Sequence, residues 1–301
     1  MARKHIEPFV DRDVPFKKMT LPGFKKGMHY KMLSIDEDTG ACTMTVKFDA
    51  GYRLPPSMSY TEWEMIILSG SIKYGDDVHT EGYYFKVPAG VHLPAMHVPR
   101  GATALLMYNF AEPSLVESDE DHALAFRDQL TIVDSYDGIQ WMGDNGGMIY
   151  PAVAPGCLLK VLKFDPLTEA LTFLYCMTPR FFQDNISYHD CAEECYHIWG
   201  TSFMMQFGDL PTGGYFWRPE YINHGSFSSE LGILGFGRTD SKLHNYFHFN
   251  PWTTPAENRD RAAAQLARTR PAMFNWALSE DGHNHPTDFE HPSWKEDSEY
   301  I

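Results

Sequence analysis

The chain repeats itself, and this constrains its fold more than any other feature. The segment Lys31-Met-Leu-Ser-Ile-Asp36-Glu-Asp-Thr39-Gly-Ala41-Cys-Thr43 aligns with Lys160-Val-Leu-Lys-Phe-Asp165-Pro-Leu-Thr168-Glu-Ala170-Leu-Thr172, 129 positions later. Gly70 falls opposite Gly200, 130 positions on, and Gly82-Tyr-Tyr84-Phe85-Lys-Val-Pro88 falls opposite Gly213-Gly-Tyr215-Phe216-Trp-Arg-Pro219, 131 positions on. The drift in offset corresponds to two small loop insertions. A 301-residue chain built this way is a duplicated domain.

Each copy reads as β structure. Thr43-Met-Thr-Val-Lys-Phe alternates with a period of two, and Glu64-Met-Ile-Ile-Leu and Ala102-Thr-Ala-Leu-Leu-Met-Tyr are short apolar runs between turn formers. Leu158-Leu-Lys-Val-Leu-Lys-Phe and Leu171-Thr-Phe-Leu-Tyr repeat the pattern. Many short strands with Gly and Pro turns predict a sandwich or barrel. The polar stretch Glu117 to Leu130 separates the copies, which places a first domain at 1–125 and a second at 126–255. Residues 256–301 then hold a short helix, read over Pro255 to Arg268, and a polar tail after Ser279 that contains His283, His285 and His291.

Charge narrows the partners. A net charge of −15 disfavours a nucleic-acid groove and an anionic membrane surface. No apolar run reaches eighteen residues, and Met-Ala-Arg-Lys-His-Ile-Glu-Pro lacks the apolar stretch of a signal peptide. The five cysteines, 42, 157, 176, 191 and 195, form no Cys-x-x-Cys pair. They fit a reduced, cytoplasmic chain better than a disulfide framework.

The second copy carries the chemistry. His189 stands four residues before Glu193, and His224 follows Pro219 by five. Two imidazoles and a carboxylate are the donor set of a divalent metal, provided the fold brings them together.

The spacing His-x3-Glu-x6-Gly, then Gly-x5-Pro-x4-His, resembles the two signature motifs of the cupin superfamily. Its members here are His189, Glu193, Gly200, Gly213, Pro219 and His224. Glu-Glu-Cys-Tyr followed by Tyr-Phe-Trp-Arg-Pro is most similar to the ChrR-type cupins, which include metal-binding anti-sigma-factor domains and small-molecule dioxygenases. The resemblance covers roughly residues 20–110 and 150–240. It implies an all-β fold of tandem cupin barrels (double-stranded β-helix, jelly-roll) with a short C-terminal helix. It also implies one divalent metal per chain at His189, Glu193 and His224, with Fe(II) favoured and Zn or Mn as alternatives. The chain departs from the cupin pattern at Ser187, where the family usually offers a further histidine. In the first copy the ligand positions are Ser57, Ser59, Trp63 and Leu93, so that copy holds no metal.

Side chains alternate across a strand, so an inward Glu193 takes Cys195 and His197 inward, with Glu194, Tyr196 and Ile198 outward. The same parity turns Trp63, Met65 and Ile67 into the first barrel. A register shift of one would substitute Glu194 for Glu193. His197 is then a candidate acid or base, and Tyr188, Trp217 and Arg218 are candidates for the mouth, Arg218 suiting a carboxylate or enolate. Other donors are Cys191 and Cys195 as soft ligands, and His92 and His97 with Glu62 and Glu64 as a displaced site in the first copy. The leading expectation is a non-haem Fe(II) dioxygenase cleaving a C–C bond in a small carbonyl or phenolic compound, as a homodimer. The alternatives are a Zn- or Mn-dependent isomerase, lyase or hydrolase, and a metal-binding sensor without catalysis.

Overall fold

The structure is a computed structural model describing residues 3–143, 147–248, 254–269 and 271–278. The chain divides into two compact units, Met1–Lys4 with Asp13–Ile139 and His5–Arg12 with Gln140–Ile301. The first strand, β1 (Ile6–Val10), therefore belongs to the second unit.

The first unit contains β2 (Lys17–Lys18), β3 (Met28–Ile35), β4 (Cys42–Phe48), β5 (Tyr52–Leu54), β6 (Ser57–Met58) and β7 (Trp63–Tyr74). It continues with β8 (Asp77–Thr80), β9 (Tyr83–Val87), β10 (Met96–Val98), β11 (Ala102–Tyr108), β12 (Val116–Glu117) and β13 (Thr131–Asp134). Its main sheet runs β13-β9-β7-β11-β4-β3-β2, with antiparallel partners throughout. The interior is apolar, including Met44, Met65, Ile67, Phe85, Val87 and Leu93, with Trp63 packed against it.

The second unit adds to β1 the strands β14 (Cys157–Phe164), β15 (Leu171–Met177), β16 (Phe181–His189), β17 (Glu193–Gly200) and β18 (Ser202–Met204). After these come β19 (Gly208–Leu210), β20 (Gly214–Arg218), β21 (His224–Ser229), β22 (Ile233–Thr239) and β23 (Asn245–His248). They form two sheets, β1-β20-β17-β22-β15-β14 and β19-β18-β21-β16-β23. Two helices follow, α1 (Pro255–Thr269) and α2 (Pro271–Leu278). The second was not legible in the sequence, because its eight residues are too few for a clear period. The polar tail after Ser279, with its three histidines, lies outside the described residues. Among the described residues no helix is long and apolar enough to cross a membrane.

The repeated sequence marks repeated turn chemistry. Asp36 Oδ1 accepts the backbone N–H groups of Asp38 and Thr39, both at 3.0 Å, and Ala41 N donates to Thr39 Oγ1 at 3.2 Å. Asp165 Oδ1 accepts Leu167 N at 2.8 Å and Thr168 N at 3.4 Å, while Ala170 N donates to Thr168 Oγ1 at 3.2 Å. An aspartate that mimics a backbone turn thus closes the β3–β4 and β14–β15 hairpins alike. The paired Gly70 and Gly200 have φ of +82° and +87°. A Cβ there would lie 2.3 Å from Gly101 O and 2.4 Å from Gly232 O respectively. Only glycine fits, because the chain both turns left-handed and touches the neighbouring strand.

Candidate metal centre

The two sheets of the second unit enclose a cavity of about 100 Å³. Period-two alternation decides what faces it. From β16 come Phe181, Gln183, Ser187 and His189, from β17 Glu193, Cys195 and His197, and from β20 Phe216 and Arg218. His224 enters from the first position of β21. Phe173, Tyr175 and Met177 of β15 and Leu159 of β14 add apolar wall.

His189, Glu193 and His224 offer ligand atoms that all lie within 4.8 Å of one another, the only such cluster among the described residues. His189 Nε2 is 3.7 Å from Glu193 Oε2, and the two imidazole rings meet edge to face with centroids 4.8 Å apart. The ladder sets this convergence. Ser187 pairs with His224 across β16 and β21, and Glu193 pairs with Arg218 across β17 and β20. Tyr221 N donates to His189 O at 2.8 Å and so ties the loop before His224 to the end of β16.

These residues fit a divalent ion. Ligand atoms about 2.1 Å from a shared ion sit roughly 3–4 Å from one another, a small contraction from the spacing here. His224 Nδ1 hydrogen-bonds Ile222 O at 2.8 Å, which fixes the proton on Nδ1 and leaves Nε2 as the lone-pair nitrogen. Burial, then the nearby Arg218 and His189, holds the His224 pKa well below the ordinary histidine value, so its ring is neutral. His189 Nδ1 is buried without a hydrogen-bond partner.

The first unit shows what the same position looks like without donors. Ser57 bridges Leu93 as Ser187 pairs with His224, and Trp63 pairs with Val87 as Glu193 pairs with Arg218. Ser59 there donates to Thr61 O at 2.9 Å. The displaced first-copy site does not assemble. His92 bonds Asp121 at 2.8 Å, Glu64 accepts from Tyr84 Oη at 2.6 Å, and His97 pairs in β10.

Glu194 lies on the opposite face of β17 from Glu193. It accepts from Tyr215 Oη at 2.7 Å and Arg238 Nη1 at 2.8 Å. Cys195 lines the cavity, but burial, then Glu193, pushes its thiol well above the usual cysteine value. Cys191 is raised too, chiefly by burial. Neither belongs to the cluster of ligand atoms formed by His189, Glu193 and His224.

Three placements differ from the sequence reading. Tyr188 does not reach the mouth. It faces away from the cavity, stacking on Tyr246 at 4.8 Å and meeting Tyr221 and His248. Parity explains this, since its neighbours Ser187 and His189 take the inward positions. Trp217 likewise faces away, paired with Ile6 and Glu194. Arg218 is an interior residue with 2% exposure rather than a rim residue.

His197 donates from Nδ1 to Leu210 O at 2.9 Å, so its Nε2 is the unprotonated nitrogen of a ring lining the cavity. Burial lowers its pKa from 6.5 to about 4. At neutral pH its Nε2 can accept a hydrogen bond, and the ring stays unprotonated. The unfolded chain takes up this proton below pH 6.5 and the folded chain only near pH 4. The stability from keeping His197 neutral is thus complete above pH 6.5 and is lost as pH falls toward 4, roughly 3 kcal/mol over the window. Denaturant titrations of metal-free protein from pH 7 to 4 should show this slope together with that of buried His224, and His197→Gln should reduce it.

Residues 20–246 match the family described as a domain of unknown function, DUF4437. No curated protein matches the chain. Among solved structures, a provisionally assigned dioxygenase from Nostoc punctiforme is similar over 83% of this chain and 92% of its own, with TM-score 0.75 and 19% identity. The protein YlbA from E. coli, of the DUF861 family, is similar over 79% and 93%, with TM-score 0.52 and 14% identity. A single-substitution variant of oxalate decarboxylase from Bacillus subtilis is similar over 92% and 85%, with TM-score 0.51 and 12% identity. These likenesses carry the fold. The chain belongs to the DUF4437 family, and its fold is the all-β tandem barrel of the cupin superfamily.

Proposed function

We propose that the second unit is a metal-dependent enzyme with Fe(II)-type dioxygenase chemistry, cleaving a C–C bond in a small carbonyl compound. The observation that carries this reading is the convergence of His189, Glu193 and His224 within 4.8 Å on the wall of a largely apolar cavity. Two imidazoles and one carboxylate leave coordination positions open, and a bound Fe(II) would supply the redox chemistry that side chains lack. Phe173, Tyr175, Phe181 and Phe216 keep water from that space. Neutral His197 can accept a hydrogen bond from a substrate in the cavity, and Arg218 can hold the negative charge of an enolate. The cavity is smaller than the ~150 Å³ that takes one benzene, which favours a small carbonyl compound over a phenolic one. The assignment of the Nostoc relative as a dioxygenase is in keeping with this.

The test is elemental analysis of protein purified without added metal, then oxygen uptake with short 1,3-diketones and 2-oxo acids. Iron near one per chain with substrate-dependent oxygen uptake supports the reading. Zinc or manganese without oxygen uptake replaces it with a non-redox lyase or isomerase, and protein without metal ends it.

Ser187 supplies a second check. Its side chain lines the cavity beside His224, where the cupin pattern has a histidine. Ser187→His should add a ligand, tighten metal binding by about 10-fold or more, and slow turnover by occupying an open position. Calorimetric metal titration paired with initial rates measures both.

A further inference from the structure

Arg218 is a buried cation with unused donors. Its side chain lines the cavity at 2% exposure, and its Nε and Nη1 atoms are buried without hydrogen-bond partners. Nε carries one N–H and Nη1 two, so three charged donors are unmet. The third nitrogen, Nη2, contacts only the weak acceptor Sδ of Met204 at 3.1 Å. Phe216 and Phe207 lie 4.0 and 5.5 Å from the guanidinium carbon and cover its faces. Ring faces attract the charge but accept none of the in-plane N–H groups.

The contrast with Arg238 is instructive. That arginine, in the same sheet, bonds Glu194 at 2.8 Å and is satisfied within the protein. Arg218 pairs in the ladder with Glu193, whose carboxylate lies toward His189 instead. Burying an unpaired cation is unfavourable by several kcal/mol. Proteins keep such a group where something else brings the counter-charge. Without a metal, Glu193 and Arg218 leave the cavity neutral. A divalent ion would leave it doubly positive, which attracts an anion more strongly still.

We infer that Arg218 anchors the carboxylate of the substrate, so that this site takes a small carboxylate anion of about six non-hydrogen atoms, such as a short 2-oxo acid. The size limit follows from a cavity below that of a benzene site. The planar, always charged guanidinium suits a carboxylate better than any neutral carbonyl. The assignment names the substrate class of the enzyme proposed above, yet the binding it describes does not need the metal.

Calorimetry with pyruvate and its neutral isostere pyruvamide tests it, on protein as purified and after chelation. Wild type should bind pyruvate at least about 10-fold more tightly than pyruvamide in both states. Arg218→Met should weaken pyruvate by about 10- to 100-fold, to the level of pyruvamide, the loss of a charged hydrogen-bonding partner. Equal binding of the two compounds, no pyruvate binding at millimolar concentration, or unchanged pyruvate binding by the variant would each overturn the assignment. Should Arg218→Met not fold, the wild-type contrast decides alone. A protein that takes up no metal yet keeps the contrast sinks the enzyme reading and leaves the anion site standing. A metal-loaded, oxygen-consuming protein without the contrast does the reverse.

Discussion

Replacing His224 with alanine is expected to leave a folded protein without its metal. The change removes one of three protein donors, and its Nε2 is the nitrogen already prepared by the Nδ1 bond to Ile222 O. Losing an outer partner of a ligand weakens metal binding by about 10- to 100-fold, so losing the ligand itself should exceed 100-fold. Metal per chain should fall below a tenth of the wild-type value, and turnover below a hundredth. The fold should survive, because the lost contact to Ile222 amounts to one net hydrogen bond, about 1 kcal/mol. Glu194→Gln is the control. Its side chain lies on the other face of β17, with Tyr215 and Arg238, and its metal content should not change. Full metal in the His224 variant would refute the ligand set.

Gly200→Ala should cost far more stability than a single added methyl group ordinarily does. At φ of +87° a side chain is strained by about 1–2 kcal/mol. The added Cβ would also stand 2.4 Å from Gly232 O and 2.9 Å from Ile233 Cα, both backbone atoms of the adjoining strand. Neither can move without opening the β17–β22 ladder, which holds Glu193 in place. Together these costs come to about 3–5 kcal/mol, or roughly 10 °C in melting temperature for a unit of this size. Differential scanning calorimetry measures it. The counterpart Gly70→Ala meets Gly101 O at 2.3 Å and should be as damaging to the first unit.

Local rules carried much of this structure in the sequence. The Asp-x-x-Thr-x-Ala pattern is legible because each of its side chains bonds a backbone group within a few residues. Glu193, Cys195 and His197 are legible as inward neighbours because strands alternate. What sequence could not show depends on which distant strand lies alongside. Tyr188 faces Tyr246 because β23 pairs with β16, a choice no local period encodes. Parity turns Trp217 from the cavity, but its burial beside Ile6 comes from the pairing of β1 with β20, which no local period encodes. Arg218 read as a rim residue because arginine is rarely buried, and only three-dimensional accounting reveals that its donors go unmet. The signal that was available is parity, since Arg218 follows Phe216 on the same face of β20.

The pairing of β1 with β20 has a consequence for how the molecule is made. Ile6 lies opposite Trp217 and Val10 opposite Gly214, so β1 waits for a strand more than 200 residues further along the chain before it has a partner. Closing so long a loop is slow, and until it happens β20 is an open edge able to recruit a strand from another chain. The late step is the one that seals the sheet beneath Arg218. A gene fragment starting at residue 140 would encode every cavity-lining side chain and still omit the edge strand that covers this strand's outer side.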